Sequence, residues 1–128
     1  MAESVLDASA VLALIQNEPG AEIVTVALQD DSLISAVNYA EVISKLVERG
    51  ATCEQADAAV QKIAVPVADF DLALARRTGA LRSATKSRGL SLADRACLAL
   101  GEREQVPVLT SDRRWEGLLS DVQVRLIR

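Results

Sequence analysis

Four carboxylates stand out from the eighteen acidic residues of this chain because each lies beside an apolar run: Asp7 in "SVLDAS", Glu41 in "NYAEV", Asp94 in "SLADRA" and Asp112 in "VLTSDRRW". The chain contains no histidine. A Ser-His-Asp triad, a Cys-His pair, a histidine zinc site and a ribonuclease with paired histidines are therefore all excluded. Catalysis has to run on carboxylates, lysine, hydroxyls or a metal. Gathered at one place, four carboxylates repel unless a cation compensates them. Oxygen donors without sulfur or imidazole suit Mg2+ or Mn2+. The chemistry such a cluster serves best is phosphoryl transfer, in which the metal orients water, lowers its pKa and neutralises phosphate charge. Each acid also has a plainer alternative. Asp7 and Asp112 could be helix N-caps, contributing about 1 kcal/mol each. Asp94 could complete a capping box with Ser91, and Glu41 could sit on a solvated helix flank.

The elements that would position these acids follow from hydrophobic periodicity. Short apolar runs at Ser4–Leu6, Ser32–Ala36, Val65–Val67, Val106–Thr110 and Val122–Ile127 read as five strands. Pro66 would confine the third to a sheet edge. Between them lie helical patterns: "DASAVLALIQNE", "AEIVTVALQ", "VNYAEVISKLVERG" with Val37, Ala40, Ile43 and Val47 on one face, and "TCEQADAAVQKIA". "ADFDLALARRTGALRSATKSRG" reads as a single long helix with Leu72, Ala75, Gly79 and Arg82 marking its turns, and "SLADRACLALGERE" as the last helix. Strands alternating with helices require crossovers. They predict one domain over residues 1–128, a three-layer α/β/α architecture with a mostly parallel, roughly five-stranded sheet. In such a sheet ligands gather beyond the carboxyl ends of the strands. Asp7, Glu41 and Asp112 follow strand ends, and Asp94 opens the helix that returns to the fourth strand, at the same edge.

Composition sets the remaining bounds. Half of the 128 residues are hydrophobic, but Tyr39, Phe70 and Trp115 are the only aromatics, so the core must be aliphatic. The net charge of −4 gives no global basic footprint of a nucleic-acid binder, although local patches decide binding. Cys53 and Cys97 read as small buried apolar residues in a reducing compartment. The first residues carry no basic leader pattern, and no apolar stretch approaches the roughly 20 residues that cross a bilayer. A cytoplasmic protein without membrane attachment is expected.

The segments "VLDASAVLALI", "NYAEVISKL", "GLSLADRACLALG" and "VPVLTSDRRW" together resemble the signature segments of PIN-domain ribonucleases, and more narrowly VapC-type toxins of toxin–antitoxin pairs. They occur in the right order over nearly the whole chain. The resemblance implies a metal-dependent endoribonuclease holding Mg2+ or Mn2+ through Asp7, Glu41, Asp94 and Asp112. It implies a supporting hydroxyl at Thr110 and a small polar residue at Ser9. Asn38, one helical turn before Glu41, is a further supporting candidate. Cleavage by this route would leave 5′-phosphate and 3′-hydroxyl ends. RNA phosphates would be held by Lys86, Arg88 and Arg113, near the acids in sequence, with Arg76, Arg77, Arg82 and Arg114 as further cations; a solvated face is the alternative for the helical ones. The family also implies a cognate antitoxin and a homodimer. An apolar groove for the antitoxin is expected between the "AEIVTVALQ" and "VNYAEVISKLV" helices, with intradomain core as the alternative. Two other functions compete. A receiver-like signalling domain would need an adjacent acidic pair after the first strand and a lysine after the last, and the chain has neither. A non-catalytic PIN-like RNA- or protein-binding module would ordinarily have lost one of the four acids.

Overall fold

Val5 and Leu6 are adjacent in sequence and fully buried, yet they belong to two different hydrophobic cores. Successive side chains of a strand point to opposite faces, so this pair marks a sheet covered on both sides. The computed structural model describes all 128 residues. Its strands are β1 (Ser4–Leu6), β2 (Ser32–Ser35), β3 (Val67–Ala68), β4 (Val108–Thr110) and β5 (Val124–Leu126). Its helices are α1 (Ala8–Ile15), α2 (Ala21–Gln29), α3 (Ala36–Glu48), α4 (Cys53–Ile63), α5 (Leu72–Ala80), α6 (Arg82–Thr85) and α7 (Leu92–Glu104). Short 3-10 turns cover Lys86–Arg88 and Arg113–Trp115. All strand pairs are parallel, in the order β3-β2-β1-β4-β5. The architecture is the three-layer α/β/α fold that the sequence predicts.

Leu6, Ile34 and Leu109 point into the core formed with α1, α2, α3 and α4. Val5 and Val108 point the other way, into the core formed with α5, α7 and Trp115. The helix α7 lies against β4 so closely that a Cβ on Gly101 would stand 2.4 Å from Cγ1 of Val108. The chain goes from β1 outward through β2 to β3, then returns to the other side of β1 for β4 and β5. The strand order therefore reverses between β1 and β4, which is where the carboxyl edge of an open sheet forms a crevice.

Several local expectations are corrected. The buried stripe of α3 is Asn38, Val42 and Leu46, while Ala40 and Val47 are exposed. A polar residue occupies the inward face, which a search for apolar periodicity passes over. The long helix expected across residues 68–89 is broken. Asp71 caps its start by accepting from the Leu74 amide at 2.9 Å. The helix gives way at Leu81, and Oγ1 of Thr85 donates to the Leu81 carbonyl at 2.9 Å, competing with the backbone ladder. The inward positions are Leu74, Thr78, Leu81 and Thr85, not Leu72, which is exposed. The edge strand sits at Val67–Ala68, beyond its expected start. Pro66 donates nothing, but its carbonyl accepts from the Ile34 amide at 3.0 Å and pairing proceeds from there. Cys97 is buried as expected, whereas Cys53 is exposed in the first turn of α4.

An apolar groove of about 660 Å³ runs over Leu14 and Ile15 of α1, Leu28 of α2, and Ala59 and Ile63 of α4. The expected partner of α2 in this groove was α3, but α4 takes that position because the apolar stripe of α3 is committed to the core. No helix is long and apolar enough to cross a membrane.

Candidate functional site

Asp7 is the first residue beyond β1, and its amide extends the ladder by donating to the Leu109 carbonyl at 2.9 Å. It occupies the N-cap position of α1 but makes no side-chain capping bond. Its Oδ2 instead accepts from Oγ of Ser9 at 2.7 Å and from Oγ1 of Thr110 at 2.8 Å. Each hydroxyl also accepts an amide of the segment after β4. Ser111 donates to Ser9 at 3.0 Å, and Asp112 donates to Thr110 at 3.0 Å. The two hydroxyls thus clamp the end of β1 to the end of β4. Asp7 is 4% exposed, and its carboxyl is pushed up from 3.8 to about 6. Burial is the main cause; the two hydroxyl bonds oppose it, and the charges of Asp94 and Glu41 add to it.

Glu41 is brought to the same edge by α3, whose start is fixed by Ser35 accepting from the Val37 amide at 3.2 Å. The fully buried Asn38 donates through Nδ2 to the Ala93 carbonyl at 3.1 Å and reaches Oε2 of Glu41 at 3.5 Å. It joins α3 to the first turn of α7, while its Oδ1 is buried without a partner. The Glu41 carboxyl is shifted upward, chiefly by burial. Asp94 does complete a capping box. Its Oδ2 accepts from the Ser91 amide at 2.9 Å, and the Ser91 hydroxyl accepts from the Asp94 amide at 3.1 Å. Asp112 caps the 3-10 turn after β4, its Oδ1 accepting from the Arg114 amide at 3.0 Å. The Arg114 side chain holds the Asp112 carboxyl below the usual range. The capping alternatives therefore hold for Asp94 and Asp112 alongside their place at the cleft, and fail for Asp7.

All four acids and Ser9 line one cleft of about 520 Å³ at the switch between β1 and β4. Thr110 and Asn38 lie beneath it, fully buried. Lys45, Arg49, Arg114 and Arg128 line the same cleft. Lys86, Arg88 and Arg113 are exposed but are not among its lining residues. Arg88 is committed elsewhere, donating to the carbonyls of Arg114 at 2.9 Å and Glu116 at 2.7 Å. Of the cations lining the cleft, Arg114 was among the candidates, whereas Lys45, Arg49 and Arg128 were missed by nearness in sequence. Lys45 had a signal, since it follows Glu41 by four residues on one helix. Arg128 had none, because only β5 carries it there.

Oδ1 of Asp7, Oε1 of Glu41 and Oδ1 of Asp94 accept no hydrogen bond within the protein. These hard oxygen donors match Mg2+ or Mn2+ in kind. As they stand, no three of the side chains are gathered closely enough to hold an ion. Arg114 supplies the nearest positive charge instead, with Nη2 at 2.5 Å from Asp112 and 3.7 Å from Asp94.

The family model for the PIN domain matches residues 4–118. Among curated proteins no sequence matches. Solved structures share the fold. The DNA-bound VapBC from Salmonella typhimurium matches with a TM-score of 0.78 at 21% identity, over 100% of both chains. A toxin–antitoxin complex from Klebsiella pneumoniae matches at 0.77 and 18%, over 98% of each. VapBC2 from Rickettsia felis, bound to a promoter DNA fragment, matches at 0.76 and 15%, over 96% of this chain and 97% of that one. At such identities the likeness is one of fold.

Proposed function

The chain belongs to the PIN-domain family, and from that premise we propose that it is a metal-dependent endoribonuclease and the VapC-type toxin of a toxin–antitoxin pair. The observation that carries the reading is that the four predicted carboxylates, from four separate segments, line one crevice together with Glu18, and that Asp7 is buried there with a raised pKa. Of the basic side chains lining the crevice only Arg114 pairs with any of the four, and Asp7, Glu41 and Asp94 each keep an oxygen free for a divalent ion. Asp7, Glu41 and Asp94 would hold Mg2+ or Mn2+, with Asp112 joining directly or through water. When bound, the metal supplies a Lewis acid that lowers the pKa of an attacking water and offsets phosphate charge.

The chain's own groups do the rest. Ser9 and Thr110 fix the orientation of Asp7, leaving its second oxygen open. Asn38 steadies Glu41 against α7. Lys45 and Arg49 form a rim that takes the phosphates flanking the scissile bond, with Arg128, held by the Pro19 carbonyl and Glu18, at its edge, while Lys86 and Arg113 serve phosphates farther along the strand. With no histidine, proton transfer falls to water or a carboxylate. The retention of all four acids weighs against a module that only binds.

The groove over α1, α2 and α4 fits an apolar segment of the cognate antitoxin, and a homodimer is proposed with it as the family's usual assembly. The test is to express the chain without an antitoxin and sequence the new RNA ends. Cuts bearing 5′-phosphate and 3′-hydroxyl, lost with Asp7→Asn, support the reading. Ends carrying 2′,3′-cyclic phosphate, or RNA binding without cutting at saturating Mn2+, refute it.

A further inference from the structure

Three N–H groups of Arg114 converge on the Asp112 carboxylate and engage both of its oxygens. The Arg114 amide reaches Oδ1 at 3.0 Å, Nε reaches both oxygens at 3.0 Å, and Nη2 reaches Oδ2 at 2.5 Å. The same Nη2 stands 3.7 Å from Oδ2 of Asp94, so one guanidinium serves two acids of the cleft. Its Nη1 donates to the carbonyls of Arg88 at 3.2 Å and Gly89 at 3.3 Å. Arg88 returns the link by donating to the Arg114 carbonyl. Capping the 3-10 turn needs only the backbone amide; the guanidinium fork exceeds that need. Its side chain is 51% exposed, so it can swing away without repacking a core.

Building on the reading of the cleft as a metal site, we propose that Arg114 is a built-in counter-cation. It neutralises Asp112 and offsets Asp94 when no divalent ion is bound, and its fork has to leave Asp112 before that acid can join such an ion. Arg114 therefore sets the threshold at which the cleft loads metal. Released, the guanidinium remains at the wall of the cleft.

The test is calorimetric titration of Mn2+ into metal-stripped full-length protein at fixed ionic strength, for wild type, Arg114→Gln, Arg114→Lys and Asp7→Asn. The thermal midpoint of each metal-free protein is measured alongside. Arg114→Gln is expected to bind Mn2+ about tenfold more tightly and to lower the metal-free midpoint. Arg114→Lys keeps the charge but loses the fork, and is expected to bind more tightly than wild type as well. Affinity that is unchanged or weaker in Arg114→Gln overturns the proposal and makes Arg114 a support for Asp112. So does a wild-type affinity in Arg114→Lys, which would reduce the effect to a general field. These failures leave the metal reading standing when wild type binds Mn2+ and Asp7→Asn does not. If no protein of the series binds Mn2+, the metal reading falls and this proposal with it.

Discussion

Replacing Asp7 by Asn is expected to stabilise the metal-free protein at neutral pH, although Asp7 sits at the centre of the site. The folded-state carboxyl titrates near 6, above its ordinary 3.8, because it is buried. The sign is opposite to that of a salt-bridged acid. Below 3.8 both folded and unfolded chains hold the proton, and Asp7 contributes nothing. As pH rises from 3.8 to 6 the unfolded chain releases the proton more readily, and stability is lost. Above 6 the loss is complete, at about 3 kcal/mol. Asn carries no charge and keeps an oxygen to accept from Ser9 and Thr110. The gain of Asp7→Asn over wild type should be about 3 kcal/mol at pH 7.5, about 1.5 at pH 5 and about 0.5 at pH 4. At pH 7.5 that corresponds to a midpoint rise of about 10 °C for a domain of this size. Urea and thermal unfolding in EDTA across this pH range measure it. With saturating Mn2+ the order narrows or reverses, since only wild type gains from binding. A variant less stable than wild type in EDTA at pH 7.5, or a gain that does not vary with pH, refutes the reasoning.

Gly101→Ala should lower the urea midpoint. The added methyl meets Val108 at 2.4 Å, and overpacking of about 1–3 kcal/mol outweighs the roughly 1 kcal/mol gained in helix propensity. Lys45→Gln and Arg49→Gln should each weaken single-stranded RNA binding in EDTA and flatten its salt dependence by about 0.7 in log–log slope, whereas Lys86→Gln should do so less; fluorescence polarisation against salt concentration decides, and equal effects would remove the special role of the cleft rim. Ile63→Glu should abolish co-purification with the cognate antitoxin while leaving RNA cleavage intact, and capture at wild-type level would move the antitoxin off the groove.

Much of the fold was legible because strands and helices announce themselves by local period. β1, α1, α2 and α4 begin within a residue or so of where the pattern puts them. The errors fall where polar atoms do structural work inward. Asn38 on the buried stripe of α3, and Thr78 and Thr85 beneath the broken helix, are invisible to a search for apolar spacing. In the cleft, Asp7, Glu41, Asp94 and Asp112 could be singled out because each interrupts an apolar context at the end or start of an element.

From the sequence alone came the layered α/β class, the exclusion of imidazole chemistry and the four acids proposed for the site, since these depend on residue type and on spacing within one element. Tertiary structure decided which cations face those acids, that Arg114 occupies Asp112, and that α4 rather than α3 borders the apolar groove. The reason is geometric. Period along a strand or helix is a local property, whereas the company a side chain keeps at the β1–β4 crevice depends on the order in which distant strands enter the sheet.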